Sequence, residues 1–331
     1  MTTELLSGVP AATEFTAELV VRSRRDAADG VVHLELAAPD GSDLPAWEPG
    51  AHIDLILDDD LVRQYSLCGD ALDSSTWSIA VLRTTDSRGG SDAVHGRLHE
   101  GATVRVAGPR NHFAVVESPE YLFVAGGIGI TPIMPMIERA ELAGANWHLY
   151  YLGRSNSSMA FADDLAEKYG DRVTLWADDA RGGPIDLSTI VGEPDADTLI
   201  YSCGPEPLLD ALEERCLGWP AGALHIERFA PRTPAPDAAT EGLATFEVEC
   251  CRSGIVVTVE EDQPLLEALE DADIPIMSSC LEGMCGTCQA TVLDGVPDHQ
   301  DSMLSPAERD SGSVILTCVS RSRTPRLVLD L

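Results

Sequence analysis

Cys280, Cys285 and Cys288 follow one another at C-x4-C-x2-C spacing, and a fourth cysteine, Cys318, stands downstream in the run LTCVS. This order is the plant-type ligand pattern of a 2Fe–2S cluster, and it constrains the fold strongly. Three thiolates must converge on two bridged irons from one short loop, while a distant return of the chain delivers the fourth. Gly283 and Gly286 lie between the loop cysteines, where they let the backbone turn and bring amide N–H groups to the sulfurs. A structural zinc site more often uses two short C-x2-C or C-x2-H pairs, and the motif holds one. A thioredoxin-like pair at Cys285 and Cys288 leaves Cys280 unexplained. Because such a cluster moves one electron at a time, the rest of the chain must show where electrons enter and leave.

With 331 residues the chain has room for two or three domains. Its net charge of −33 argues against nucleic-acid binding, which needs a positive footprint, and against docking on anionic membranes. The acids are spread along the whole chain, so most of this charge reads as a solubilising surface; an acidic face that steers a basic redox partner is the sharper alternative. The opening MTTELLSGVPAATEF has neither the basic segment nor the apolar run of a secretory signal, and no stretch approaches a membrane span. A reducing cytoplasm is the expected compartment. Cys68, Cys203, Cys216, Cys250 and Cys251 lie outside the cluster pattern and read mostly as buried thiols.

Six alternating runs come first: FTAELVVRSRR, GVVHLELAAP, AHIDLILDD, RQYSLCG, WSIAVLR and ATVRVAG. They predict a small antiparallel barrel. From Tyr121 onward the pattern changes to continuous apolar runs (YLFVAGG, WHLYYLG, RVTLWAD, TLIYSCG) alternating with helical stretches, as in a parallel α/β sheet. FAPRTPAPDAATEG has no periodicity and reads as a linker. Two strands, a short helix, the cysteine loop and further strands then suit a compact α+β domain.

AGGIGITPIM (125–134) follows a strand and opens a helix. Gly126, Gly127 and Gly129 would allow a tight turn and offer a helix N-terminus to a pyrophosphate. The motif departs from G-x-G-x-x-G, and an ordinary strand-to-helix turn reads the same way. YSCGPEPLL (201–209) is a second Gly-Pro turn, expected at the same carboxyl edge of the sheet. In the barrel half, Arg63 of RQYSL could bind a phosphate, Tyr65 offers an aromatic face and Ser66 a hydroxyl. Gly89, Gly90 and Ser91 of SRGGS could form an anion nest. Each of these is unremarkable alone.

In this order, RQYSL, RGGS, GGIGITP, SCGP and the cysteine loop resemble the phthalate dioxygenase reductase family, whose relatives include the vanillate demethylase reductases. The resemblance covers nearly the whole chain. It implies a flavin-binding antiparallel Greek-key β-barrel at residues 1–116, a nucleotide-binding α/β domain at 117–230, a linker at 231–243 and an α+β β-grasp ferredoxin domain at 244–331. It further implies FMN rather than FAD, held by Arg63, Gln64, Tyr65 and Ser66, with Ser66 near the reactive N5, and by the phosphate loop Arg88, Gly89, Gly90 and Ser91. Gly126, Gly127, Thr131, Cys203, Gly204 and Pro205 match the nicotinamide-nucleotide turns. Glu227 and Phe229 of HIERFA match the segment whose aromatic ring covers the flavin. Ser66, Cys203 and Phe229 would thus stand at the reacting atoms, and Cys280, Cys285, Cys288 and Cys318 would bind the metal.

The family points to NADH. No acidic residue closes YYLG, however, and Arg154, Ser155 and Ser157 there could accept the 2′-phosphate of NADPH. The expected activity is that of an oxygenase reductase component, passing electrons from NADH through FMN and a 2Fe–2S cluster to a terminal oxygenase, either Rieske non-haem iron or cytochrome P450. A redox-sensing adaptor, or a standalone NADH-dependent flavin reductase or oxidase, would share these motifs. His52, His95, His99, His112 and His299 are scattered and read as structural or exposed.

Overall fold

The computed structural model describes residues 15–58, 61–84, 89–230, 245–304 and 306–331. Arg88 and the expected linker at 231–243 lie outside the described residues.

The expected barrel is present. Its strands are β1 (Thr16–Ala28), β2 (Val31–Ala37), β3 (Ala51–Asp58), β4 (Leu61–Ser66), β5 (Trp77–Leu82) and β6 (Thr103–Asn111), with α1 (Gly90–Arg97) before the last. Every pairing is antiparallel, in the order β4-β3-β6-β1-β2-β5. Strand β6 returns to lie between β3 and β1, which is the Greek-key crossing. The edge strands meet where Leu67 bridges Ile79 and the Cys68 N–H donates to the Ser78 carbonyl at 2.9 Å. Period-2 alternation drives the closure: Leu34 and Leu36, Ile53 and Leu55, and Trp77 and Ile79 point inward and are fully buried.

A parallel sheet follows, with order β11-β10-β7-β8-β9. Its elements are β7 (Glu120–Gly126), α2 (Ile130–Ala143), β8 (Asn146–Gly153), α3 (Ala162–Tyr169), β9 (Val173–Ala177), α4 (Asp178–Arg181), β10 (Thr198–Cys203), α5 (Glu206–Arg215) and β11 (Leu224–Glu227). The central strands read as unbroken apolar runs because both faces are covered: Phe123, Val124, Ala125, Ile200 and Tyr201 have no exposed surface. The order of winding reverses between β7 and β10, and ligands of open α/β sheets bind at the carboxyl side of that switch point.

The last unit is a mixed sheet with order β13-β12-β18-β14-β16. It comprises β12 (Phe246–Cys250), β13 (Ile255–Val259), α6 (Leu265–Asp271), β14 (Gln289–Asp294), β15 (Pro297–Asp298), α7 (Pro306–Ser311), β16 (Val314–Leu316), β17 (Arg321–Ser322) and β18 (Arg326–Leu329). Strand β18 pairs parallel with β12 and antiparallel with β14. Leu265, Ala268 and Leu269 of α6 bury themselves in the sheet's own core, the β-grasp arrangement. Among the described residues no helix is long and apolar enough to cross a membrane.

Candidate functional site

A cavity of about 420 Å³ opens where the three units meet. The barrel contributes Arg63, Gln64, Tyr65 and Ser66 of β4, together with Ser91 at the start of α1. Ile128, Thr131, Glu227 and Phe229 come from the parallel-sheet unit, and Cys280, Met284 and Met303 from the mixed-sheet unit. The volume is in the usual range for a small-molecule site. Gly90 explains part of the wall: a Cβ there would lie 2.4 Å from Cγ of Arg63, so the bare backbone is what lets that side chain lie across the loop.

The groups around Ser66 are held neutral. Burial pushes Tyr65 up to about 12. Burial also raises Glu227 to about 8, against a hydrogen bond from Ser66 that works the other way. Burial, the Arg110 charge and His112 lower His52 to about 3. Cys203 is raised well above the usual thiol range by burial and by Glu227. Two buried atoms on this wall, His52 Nε2 and Glu227 Oε2, have no hydrogen-bond partner in the described protein. Both residues line the cavity, and unpaired neutral polar atoms beside it fit the polar edge of a flavin ring.

The two glycine turns expected at one sheet edge do meet. Strands β7 and β10 are neighbours, with Ala125 opposite Cys203. A Cβ on Gly126 would lie 2.6 Å from Cδ of Pro205, and one on Gly204 3.0 Å from Cα of Gly126. Thr131 Oγ1 donates to the Ile128 carbonyl at 3.0 Å and secures the turn into α2. Ile128 and Thr131 reach the cavity, whereas Gly126, Gly127, Cys203, Gly204 and Pro205 do not line it. Cys203 is fully buried, so its thiol stands behind the wall rather than in it.

The cysteine loop is built by topology. Gln289 pairs with Leu316, and the Thr317 N–H and Oγ1 both donate to the Cys288 carbonyl, at 3.2 and 3.1 Å. Cys318 is thereby brought to Cys288. Within the loop, Leu281, Gly283 and Gly286 all take positive φ. Backbone donors reach two sulfurs: Glu282 N–H to Cys280 Sγ at 3.3 Å and Thr287 N–H to Cys285 Sγ at 3.4 Å. The thiols fall into two pairs: Cys280 beside Cys285 lowers that thiol, and Cys318 beside Cys288 lowers that one, while Cys280 and Cys318 are themselves raised. Among the described residues no three His, Cys, Asp or Glu side chains gather tightly enough to hold one metal ion. Two pairs suit a two-iron centre better than one tetrahedral zinc.

Residues 248–323 match the family of the 2Fe-2S iron-sulfur cluster binding domain. The chain is 41% identical over 322 residues to phenoxybenzoate dioxygenase subunit beta of Ectopseudomonas oleovorans, covering 97% of this chain and 99% of that one. Phthalate dioxygenase reductase, solved as a modular structure for electron transfer from pyridine nucleotides to 2Fe–2S, matches with a TM-score of 0.69 and 32% identity over 96% of this chain and 98% of that one. The chain belongs to the phthalate dioxygenase reductase family. An intact type IV self-sufficient cytochrome P450 monooxygenase matches with a TM-score of 0.87 and 42% identity over 96% of this chain, which spans 41% of that longer polypeptide. As a family member the chain is an oxidoreductase, the reductase component of an oxygenase system, with a 2Fe–2S domain.

Several residues of this reductase escaped the sequence reading. His52 and His112 were set aside as structural or exposed; His52 is buried and His112 exposed, and both line the cavity. Period-2 alternation marks His52 only as another strand residue. An acid absent after β8 is found just past the end of the neighbouring strand β9: Gly153 pairs with Ala177, and the Asp179 N–H donates to the Arg154 carbonyl at 3.1 Å. Asp178 and Asp179 therefore open α4 beside Arg154.

Glu227 yields a pH prediction. Its folded value of about 8 exceeds the ordinary 4.5, so the charged form is disfavoured in the native state. Native stability from this group is present in full below 4.5 and is lost as pH rises through 8. Glu227→Gln should match the parent near pH 4.5 and exceed it by about 1–3 kcal/mol at pH 9. Thermal or urea unfolding across that range is the measurement; a pH-independent difference would contradict the burial argument.

Proposed function

We propose that this reductase takes hydride from NADH beside an FMN held in the three-walled cavity, and passes electrons singly through a 2Fe–2S cluster to a terminal oxygenase. The observation that carries the reading is Cys280: the first cluster cysteine is itself a wall of the cavity that would hold the flavin. When bound, FMN supplies the exchange between a two-electron hydride donor and a one-electron acceptor.

The residues divide this work. Arg63 would hold the phosphate together with Gly89, Gly90 and Ser91, and Arg88 would join them. Tyr65, kept as a phenol, offers its ring, while Gln64 and Ser66 offer polar atoms to the flavin edge. Phe229, 40% exposed at the mouth, would cover the flavin face that the nicotinamide approaches. Gly126, Gly127, Thr131, Gly204 and Pro205 would seat the nucleotide at the switch point, with the Cys203 thiol standing behind them in the core. Asp178 and Asp179 suit a ribose diol better than a 2′-phosphate, which favours NADH over NADPH. Cys280, Cys285, Cys288 and Cys318 would hold the cluster. No group here needs to move a proton as base or acid, so catalysis is positioning.

The modules are assigned to residues 1–116, 117–230 and 244–331, with 231–243 as linker, and the cysteine usage fits the cytoplasm. The similar proteins serve dioxygenase and cytochrome P450 chemistry, so both acceptor classes fit, and the acidic surface suits a basic docking face. Anaerobic titration tests the whole. NADH should bleach the flavin absorption and raise the paramagnetic signal of a reduced 2Fe–2S cluster, NADPH should act far more slowly, and acid extraction should release FMN. A cluster that stays oxidised while the flavin bleaches would overturn the reading.

A further inference from the structure

Asp54 on β3 is 4% exposed, yet three donors from distant parts of the chain converge on it. Arg110 Nη2 of β6 lies 2.5 Å from Oδ1, and Gln64 Nε2 of β4 donates to the same oxygen at 3.1 Å. Ser279 Oγ donates to Oδ2 at 2.6 Å. The first two belong to the barrel. Ser279 belongs to the ferredoxin module and immediately precedes Cys280. A second contact lies further along the same loop: a Cβ on Gly286 would stand 3.1 Å from Cε1 and Nε2 of His112, just past β6. The two contacts bracket Cys280 and Cys285 in the chain.

We propose that Asp54 is an interdomain latch: through Ser279 its buried carboxylate fixes the cluster loop against the flavin cavity and so sets the flavin-to-cluster geometry. It is a positioning residue, and the proposal rests on the reading of cavity and cysteines given above. A buried Arg110–Asp54 pair contributes little net stability, because both charges lose their water. The hydroxyl donor changes the balance. A hydrogen bond from O–H to a carboxylate is short and roughly twice as strong as a neutral one, and removing it leaves Oδ2 unsatisfied away from solvent. One oriented bond at the residue before a ligand also removes most of the arrangements that tethered modules would otherwise sample.

The test uses the full-length protein with flavin and cluster loaded. Ser279→Ala should bleach with NADH at the parent rate, reduce its cluster roughly tenfold more slowly, and show faster backbone hydrogen exchange at residues 276–288 with no change in β3 or β6. Ser279→Thr, which keeps the hydroxyl, should restore both the rate and the protection. Asp54→Asn approaches the latch from the barrel side, in a module that carries no cluster cysteine, and should loosen the same loop. Variants with parent exchange and parent cluster reduction overturn the latch, as does slowed reduction with unchanged exchange. If the parent protein itself cannot reduce its cluster with NADH, the proposed function falls instead.

Discussion

Cys285→Ser is expected to leave NADH bleaching of the flavin intact while lowering NADH-driven cytochrome c reduction by roughly two orders of magnitude. The two halves of the site separate because they lie on different modules. In the proposed function hydride acceptance rests on β4, the α1 loop and the switch-point turns, and none of these includes Cys285. One-electron delivery depends on the cluster. Cys285 faces Cys280 and accepts the Thr287 N–H at 3.4 Å, and it is 1% exposed. A serine hydroxyl is far harder to ionise than a thiol and is a poorer match for iron. Iron and acid-labile sulfide should fall toward zero in the variant. Cys251→Ser is the control: that cysteine is exposed and lies outside the loop, so its replacement should change neither iron nor rate. Full cytochrome c activity in an iron-depleted Cys285→Ser protein would assign the transfer to the flavin alone.

Gly129→Val should destabilise the nucleotide module by roughly 3 kcal/mol and raise the KM for NADH in whatever protein remains folded. A Cβ at Gly129 would lie 2.2 Å from the Cys203 carbonyl oxygen, 2.4 Å from its carbon and 2.8 Å from the Gly204 nitrogen. All three are backbone atoms, and they cannot yield without parting β10 from β7, where the sheet changes direction. Gly127 is the contrast. It has φ of +55 with open space around it, so Gly127→Ala meets only the left-handed penalty of about 1–2 kcal/mol. The middle module's thermal transition and the KM for NADH separate the cases; equal effects would mean that space at Gly129 is not the constraint.

The cluster loop was legible because its chemistry is local in sequence. A spacing of four and two residues can be read directly, and the positive φ values at Gly283 and Gly286 were foreseen from residue type. The six barrel strands were legible from alternation, which reports burial without needing a partner. Cross-strand neighbours were harder to see. Asp178 and Asp179, proposed above for the ribose, are invisible to motif spacing because the adjacency of β8 and β9 is a property of the sheet and not of one strand's end. Asp54 was hidden for a related reason: in AHIDLIL it occupies a polar slot of an alternating run, and its partner Ser279 is 225 residues away. Cys203 looked like a nicotinamide contact from its motif, but strand pairing turns its thiol into the core. Arg88 and the linker lie outside the described residues.

The third wall of the cavity carries a consequence for waste. Cys280, Met284 and Met303 line the third side of the pocket, so in the proposed function the ferredoxin module would serve as a shutter as well as a relay. Dioxygen in the surrounding water is itself a willing oxidant of reduced flavin. A loop that swings away therefore lengthens the productive route and uncovers the parasitic one in the same motion, turning reducing power into peroxide. Tight apposition of these modules conserves fuel.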